Sequence, residues 1–203
     1  MSEHQALKKL NVGCGGQKLP GFVNLDKIDY PHVDIQFDLE KCASWNQMRY
    51  RDGSAVLDST FDRMVLSHVI EHIVNLLPMM EELWRVMKPG GKMAVLCPYG
   101  SSDNADEDPT HVRRIFKESS IYFSQAVYGQ NDYGYRGDWD TTQRIFILNK
   151  SFFQDEATDV QISAAIENMR NVVTEFQMEL TAVKPCRAPG SAAPAPVDFF
   201  RMR

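Results

Sequence analysis

Three groups of residues have the types and spacing to do chemistry. Asn11-Val12-Gly13-Cys14-Gly15-Gly16 ends an apolar run in glycines. A turn with few β-carbons lets backbone approach a ligand closely. Asp26 and Asp38 each close a short apolar segment further on, and a carboxylate there can accept hydrogens from hydroxyl or amino groups. The third group holds the imidazoles: Ser67-His68-Val69-Ile70-Glu71-His72 and Asp108-Pro109-Thr110-His111-Val112-Arg113. Histidine changes charge near neutral pH and can orient or deprotonate an acceptor.

The glycine turn is selective in what it omits. A dinucleotide fingerprint would need glycine at position 18, which is Lys18, and a phosphate-binding loop would need Lys followed by Ser or Thr where Lys18-Leu19 stands. A ligand carrying adenosine without a pyrophosphate remains. Asp26, with Lys27 beside it, is then the partner for the ribose hydroxyls, and Asp38, with Leu39, the partner for the adenine edge. Taken singly, each acid is equally a solvated strand end or a turn cap.

Ser67 and His68 follow a strand and are expected in the cleft, His68 as an acceptor-facing group. The Asp108-x-x-His111 spacing lets a carboxylate hold an imidazole tautomer, which makes His111 the rival base, and Arg113 could grip an anionic group. Tyr99 is a candidate for the acceptor wall. Tyr133 and Trp139, with Tyr128 and Tyr135, lie in a glycine-punctuated loop suited to stacking on a sugar, an aromatic acceptor or a partner. His68 to His72 lacks the H-E-x-x-H order and no third ligand is evident, so no metal is expected. A loop carbonyl or core packing remains the plain alternative for each of these side chains.

These residues need elements to hold them. Leu7–Gly13, Phe22–Asp26, Val33–Asp38 and Phe61–Leu66 read as short strands. A helix with Pro78 in its first turn and Met79, Leu83, Val86 and Met87 on one face ends at Lys88-Pro89-Gly90-Gly91, and Lys92–Cys97 follows as a continuously apolar strand. Strand and helix alternating with short turns describe a doubly wound α/β fold. The connection from Gly16 to Phe22 is too short for a full crossover, so the first helix is expected to shrink to a turn. Ser101–Thr110 reads as an exposed acidic loop, Phe116–Val127 as a helix, Gly129–Asp140 as a loop and Ile145–Leu148 as a strand. Ile162, Ala165, Ile166 and Met169 share a helical face, and Phe176, Met178, Leu180 and Ala182 alternate along a late strand. One domain over 1–187 is expected, followed by a Pro/Ala/Gly-rich flexible tail over 188–203.

The net charge of −5 argues against a broad nucleic-acid surface. The four cysteines are scattered without a CxxC pair, and no apolar run approaches a membrane span, so a cytoplasmic location without membrane attachment is expected.

The run Asn11-Val12-Gly13-Cys14-Gly15, then Gly21-Phe22-Val23-Asn24-Leu25-Asp26, then Phe61-Asp62 with Ser67-His68-Val69-Ile70-Glu71-His72, then Glu82 to Gly91, resembles the class I S-adenosylmethionine-dependent methyltransferases, most nearly their small type-11-like branch. The resemblance is strongest from Leu10 to Pro98. It implies a seven-stranded, mostly parallel Rossmann-like sheet with an antiparallel late strand, and S-adenosylmethionine as cofactor. It also implies a glycine loop (Gly13 to Gly16) at the methionine portion, Asp26 at the ribose and Asp38 at adenine. Asn11 stands where many members carry an acid. The expected reaction is transfer of the methyl group to an oxygen or nitrogen of a small-molecule or saccharide acceptor, with a homodimer left open. An NAD-dependent oxidoreductase and a non-catalytic S-adenosylmethionine-binding scaffold are the rival readings.

Overall fold

Parallel strands covered on both faces are apolar in nearly every position. Along Phe61–Ser67 and Met87–Pro98, however, burial alternates: Arg63 and Lys92 are exposed and Val65, Ala94 and Leu96 half-buried. The run Lys92–Cys97, expected to be continuously covered, therefore carries its core on one face. Leu10, Val12, Leu25, Met64, Leu66, Met93 and Val95 are all at most 1% exposed. The computed structural model describes residues 7–43, 47–129, 131–153 and 157–202. Strands β1 (Lys9–Val12), β2 (Val23–Asp26), β3 (Ile35–Gln36), β4 (Phe61–Ser67) and β5 (Met87–Pro98) pair in parallel in the order β3-β2-β1-β4-β5. The chain order reverses at β1, which is flanked by β2 on one side and β4 on the other, so a crevice opens beyond the carboxyl ends of these strands.

Strand β7 (Val173–Ala182) lies antiparallel between β5 and β6 (Trp139–Leu148), as the resemblance implies. Its alternation is the one read from sequence: Phe176, Met178 and Leu180 are fully buried and Ala182 nearly so. Among the described residues the sheet has eight strands rather than seven. Residues Val197–Met202, expected within a flexible tail, form β8, which pairs in parallel with β6 from Gln143↔Val197 to Leu148↔Met202. The composition of 188–196 hid a following segment rich in strand formers, Val197, Phe199 and Phe200.

Helix α1 (Leu76–Val86) buries Met79, Met80, Leu83 and Val86 completely against the sheet. Met87 and the Lys88-Pro89-Gly90-Gly91 segment, expected as helix end and turn, form the irregular start of β5, where the register slips between Phe61↔Met87 and Arg63↔Lys92. No helix connects β1 to β2, as the short connection requires. The acidic loop after β5 contains one short helical turn, α2 (Asn104–Glu107). Helix α3 (Asp159–Asn168) starts with a capping box between Thr158 and Gln161 and buries Ile162 and Ile166, while Met169 stays exposed. No described helix is long and apolar enough to cross a membrane.

Two expectations give way. Phe116–Val127 is not a helix but two 3-10 turns, Ser119–Phe123 and Gln125–Val127. Side chains here take backbone donors that a helix would have used: Asp138 accepts from the Gln125 N–H and Ser124 from the Ala126 N–H. Strand β6 begins at Trp139, not Ile145, so the glycine-rich loop is shorter than its composition suggests.

The start of β6 is fixed by a buried ion pair. Asp138 is fully buried and accepts from Gln125 N–H, Arg187 N–H and the Arg187 guanidinium, with Nη2 at 2.8 Å and Nε at 2.8 Å. Burial pushes the Asp138 carboxyl up, but the Arg187 guanidinium and the two N–H groups more than offset it, so it titrates below the usual carboxylate range. A carboxylate with a depressed folded-state pKa contributes stability that is fully present above its unfolded value, near 4, and is lost as pH falls through the folded value. Asp138→Asn is therefore expected to lower unfolding free energy at pH 7 by about 3–5 kcal/mol. Urea melts should show the gap to wild type holding down to about pH 5 and narrowing below about pH 4.

Candidate active site

With no helix after β1, the glycine turn is held by the Cys14 N–H on the Leu25 carbonyl at 3.0 Å and by side chains. The Gly15 N–H donates to Asp26 Oδ2 at 2.8 Å and the Ile28 N–H to Asp26 Oδ1 at 2.9 Å. Asn11 donates to Asn24 Oδ1 at 3.0 Å, which also accepts from the Leu19 N–H at 3.2 Å. Asn11 is thus committed behind the turn. Gly13 and Gly15 have φ of +64° and +53°, the left-handed region open to glycine. A β-carbon on Gly13 would lie 2.6 Å from Val69 Cγ2, whereas one on Gly15 would meet nothing within 4 Å. Cys14 is buried, and burial, then the nearby Asp26 charge, pushes its thiol up. His32, which the sequence reading missed, lies 3.0 Å from the Gly15 carbonyl through Nε2.

A cavity of about 210 Å³ opens beside this turn. Gly13, Asp26, Lys27, Asp38, Leu39 and His68 line it, which gathers six of the residues named from sequence. Phe37, Leu39, Val69 and Ile73 are its apolar walls, each between 6% and 9% exposed. Asp38 also caps the 3-10 turn Leu39–Lys41, accepting from the Glu40 N–H at 3.2 Å. Both readings of that acid, cap and cleft wall, hold together. Glu40 in turn accepts from the Val74 and Asn75 N–H groups, 2.6 and 3.0 Å away, and so seats the start of α1. Asn11, Cys14, Gly15, Gly16 and Ser67 support the cavity or stand near it without lining it.

His68 takes φ of +55°, unusual for a residue with a β-carbon. Its Nδ1 is 3.3 Å from Glu71 Oε1 and its Nε2 is 3.3 Å from Glu175 Oε1 on β7. The Glu71 contact, followed in part by the Glu71 and Glu175 charges, raises its pKa against the opposing effect of burial. Glu175 gave no signal in sequence beyond its place in an alternating strand.

The loops after β4 and β5 meet here. Thr110 Oγ1 is 3.0 Å from His72 Nδ1, the Val112 N–H donates to the Glu71 carbonyl, and the His72 and His111 rings sit 4.7 Å apart edge to face. His111 is not held by Asp108 as its spacing suggested. Asp108 Oδ1 accepts from the Thr110 N–H and hydroxyl, its Oδ2 stays 3.8 Å from His111 Nε2, and the Ala105 carbonyl, 3.1 Å from Nδ1, sets the tautomer instead. One ligand atom each from Glu71, His72 and His111 lie within 4.8 Å of one another, a grouping that the linear order does not reveal.

A second, larger groove of about 750 Å³ runs between the start of α1 and residues 113–133. Arg113 and Tyr133 line it, with the exposed rings of Phe116 and Tyr122. The Arg113 guanidinium donates to the Ile73 and Val74 carbonyls, in the wall between groove and cleft. Two predicted acceptor residues are elsewhere. Trp139 is fully buried and its indole N–H reaches the Met80 carbonyl at 3.3 Å. Tyr99 is 4% exposed and packs edge-on against Phe116, Phe146 and Phe176. Both are core residues because the strands they end or begin run under the loop, and Tyr128 and Tyr135 are buried likewise.

A family profile described as a methyltransferase domain matches residues 10–95. Among solved structures, a SAM-dependent methyltransferase from Archaeoglobus fulgidus superposes with a TM-score of 0.52 at 13% identity, covering 87% of this chain and 86% of that one. A provisionally assigned methyltransferase from Bacillus halodurans gives 0.51 at 14% identity, covering 88% and 93%. The cyclase SpnF gives 0.51 at 11% identity, covering 87% and 75%. At such identities the superpositions establish the fold alone. No protein of curated function matches by sequence.

The glycine geometry predicts an asymmetry. Gly15→Ala should cost only the left-handed backbone term, about 1–2 kcal/mol. Gly13→Ala should cost that and the Val69 contact, and the excess should vanish when both are compared in a Val69→Ala background. Thermal or urea melts of wild type and the five variants measure it.

Proposed function

We propose that the chain, whose residues 10–95 match a methyltransferase domain, is a class I S-adenosylmethionine-dependent methyltransferase, and that the cleft between Gly13 and His68 holds the S-adenosylmethionine cofactor and directs its methyl group to an oxygen or nitrogen of a small-molecule or saccharide acceptor. The observation that carries this reading is the acid-rich cleft behind a glycine turn with no helix. Asp26, Asp38 and Glu40 line it against one lysine, Lys27. Such a site suits a cationic nucleoside. An anionic dinucleotide would want its pyrophosphate at a helix N-terminus, and none follows β1.

The residues present fit the cofactor. Each Asp26 oxygen accepts one backbone N–H, and a carboxylate oxygen has a lone pair to spare for a ribose hydroxyl. Phe37, Leu39, Val69 and Ile73 form apolar walls for a base, with Asp38 at its edge. When bound, the cofactor supplies a methyl group on a positively charged sulfur. The protein's task is then alignment, with proton removal added for a neutral acceptor. His68 stands at the cleft wall with both ring nitrogens against carboxylates, those of Glu71 and Glu175, and in this reading it orients the acceptor. Arg113, Tyr122 and Tyr133 on the adjoining groove supply a cation and stacking faces for the rest of the acceptor, and a groove of that volume is of small-molecule size. Four free cysteines support work in a reducing compartment, the cytoplasm.

Calorimetric titration with S-adenosylhomocysteine tests the cofactor site. Wild type should bind it and not NAD, and Asp26→Asn should weaken binding by about tenfold or more, about 1.4 kcal/mol. Unchanged affinity would remove Asp26 from the ribose. With a radiolabelled methyl donor and a panel of sugars, phenols and amines, His68→Gln should lose about 100-fold or more in turnover while keeping S-adenosylhomocysteine affinity.

A further inference from the structure

Glu71 presents an electrostatic problem that the cofactor reading leaves unsolved. Its carboxylate is 2% exposed, yet neither oxygen has a hydrogen-bond donor among the described residues, and the only cationic contact is the His68 ring 3.3 Å from Oε1. Buried carboxylates are ordinarily paired, hydrogen-bonded or bound to a metal.

The neighbouring imidazoles are arranged as metal ligands are. The Thr110 hydroxyl has one hydrogen, and its 2.7 Å contact to Asp108 Oδ1 uses it. Thr110 Oγ1 is therefore an acceptor toward His72 Nδ1 at 3.0 Å, so the His72 proton sits on Nδ1 and Nε2 keeps its lone pair. The Ala105 carbonyl can only accept, so His111 Nδ1, 3.1 Å away, also carries the proton and Nε2 is bare. Histidines that ligate metals are held in this way, one nitrogen donating to a carbonyl or a carboxylate-linked group while the other faces the ion. The bare His111 Nε2 also faces Asp108 Oδ2 at 3.8 Å. Lone pair and carboxylate repel unless a cation lies near both, and that separation is too long for a shared proton.

We propose that Glu71, His72 and His111 bind a divalent transition-metal ion, zinc or a close relative, with Asp108 at its rim. Two imidazoles and one carboxylate are a zinc ligand set that leaves a coordination position open. Zinc holds such ligands at about 2.0–2.2 Å, so the three side chains, whose ligand atoms now lie within 4.8 Å, close inward on binding. His72 also lines the cofactor cleft, so the ion lies beside it. A hydroxyl bound at the ion's open position would lose its proton more readily. That last consequence rests on the methyltransferase reading; the metal site itself does not.

The test uses the full chain, dialysed against EDTA and then titrated with Zn²⁺ by calorimetry and with Co²⁺ by visible absorption. Wild type should take up one equivalent and show the visible d–d band of cobalt with nitrogen ligands. His111→Ala should weaken binding at least about 100-fold, and Thr110→Val, which removes only the oxygen that holds His72, about 10-fold. Glu71→Gln should also lose the ion, and far-UV circular dichroism identifies any variant that has unfolded. Less than one equivalent in wild type overturns the proposal. So does wild-type affinity in His72→Ala/His111→Ala, which would move the ion elsewhere. S-adenosylhomocysteine binding is measured on the same samples: its loss with metal binding intact sinks the cofactor reading and leaves the metal site standing.

Discussion

The carboxylate of Asp26 is the interaction on which the site depends. In a doubly wound fold the first helix normally packs on the sheet and carries the turn after β1 with it. Here the chain goes from Gly13 to Val23 without a helix, so the turn is held by two backbone bonds, Cys14 N–H to the Leu25 carbonyl and Gln17 N–H to the Cys14 carbonyl, and otherwise by side chains. Asp26 Oδ2 takes the Gly15 N–H and Oδ1 takes the Ile28 N–H. One buried carboxylate at the end of β2 therefore sets the position of the glycine turn and of the loop that follows β2. Asn24 performs the same service one pair earlier, bridging Asn11 and Leu19.

That solution has an electrostatic consequence. Removing the helix also removes the partial positive charge that a helix N-terminus would have placed at the mouth of β1. What remains around the cleft is Asp26, Asp38 and Glu40, with Glu71 and Glu175 bracketing His68 across from them. The field of this crevice attracts cations. A sulfonium cofactor and a divalent ion are both cations, and the two proposed sites draw on different loops: Gly13, Asp26 and Asp38 on the β1–β3 side, Glu71, His72 and His111 on the loops after β4 and β5.

Backbone geometry links the two sides. Val69 touches the space where a Gly13 side chain would be, and His68, in the left-handed region, turns the chain sharply from β4 into the Ile70–His72 turn. This bend aims His68 at the cleft and buries Glu71 behind it. It explains why four residues of one short segment, His68, Val69, Glu71 and His72, each face a different component of the site.

The sequence alone determined what depends on local order. Short apolar segments ending in polar residues or glycine marked the parallel strands, the short Gly16 to Phe22 connection foretold the missing helix, and Gly13, Asp26, Lys27, Asp38, Leu39 and His68 could be named together because strand ends in a parallel sheet share one edge. The tertiary structure decided whatever depends on contacts between segments distant in the chain. Trp139 and Tyr99 looked like binding aromatics, yet they pack in the core, because burial depends on what covers a residue and composition does not report it. Phe116–Val127 was expected as a helix, but Ser124 and the distant Asp138 took the Ala126 and Gln125 N–H groups. Asp108 and His111 had suitable spacing, but a closer carbonyl, that of Ala105, took the imidazole. Glu175 and Thr110 carried no signal at all. His111 meets Glu71 and His72 only because the loops after β4 and β5 leave adjacent strands at the same edge, a proximity set by sheet order and encoded in no local spacing.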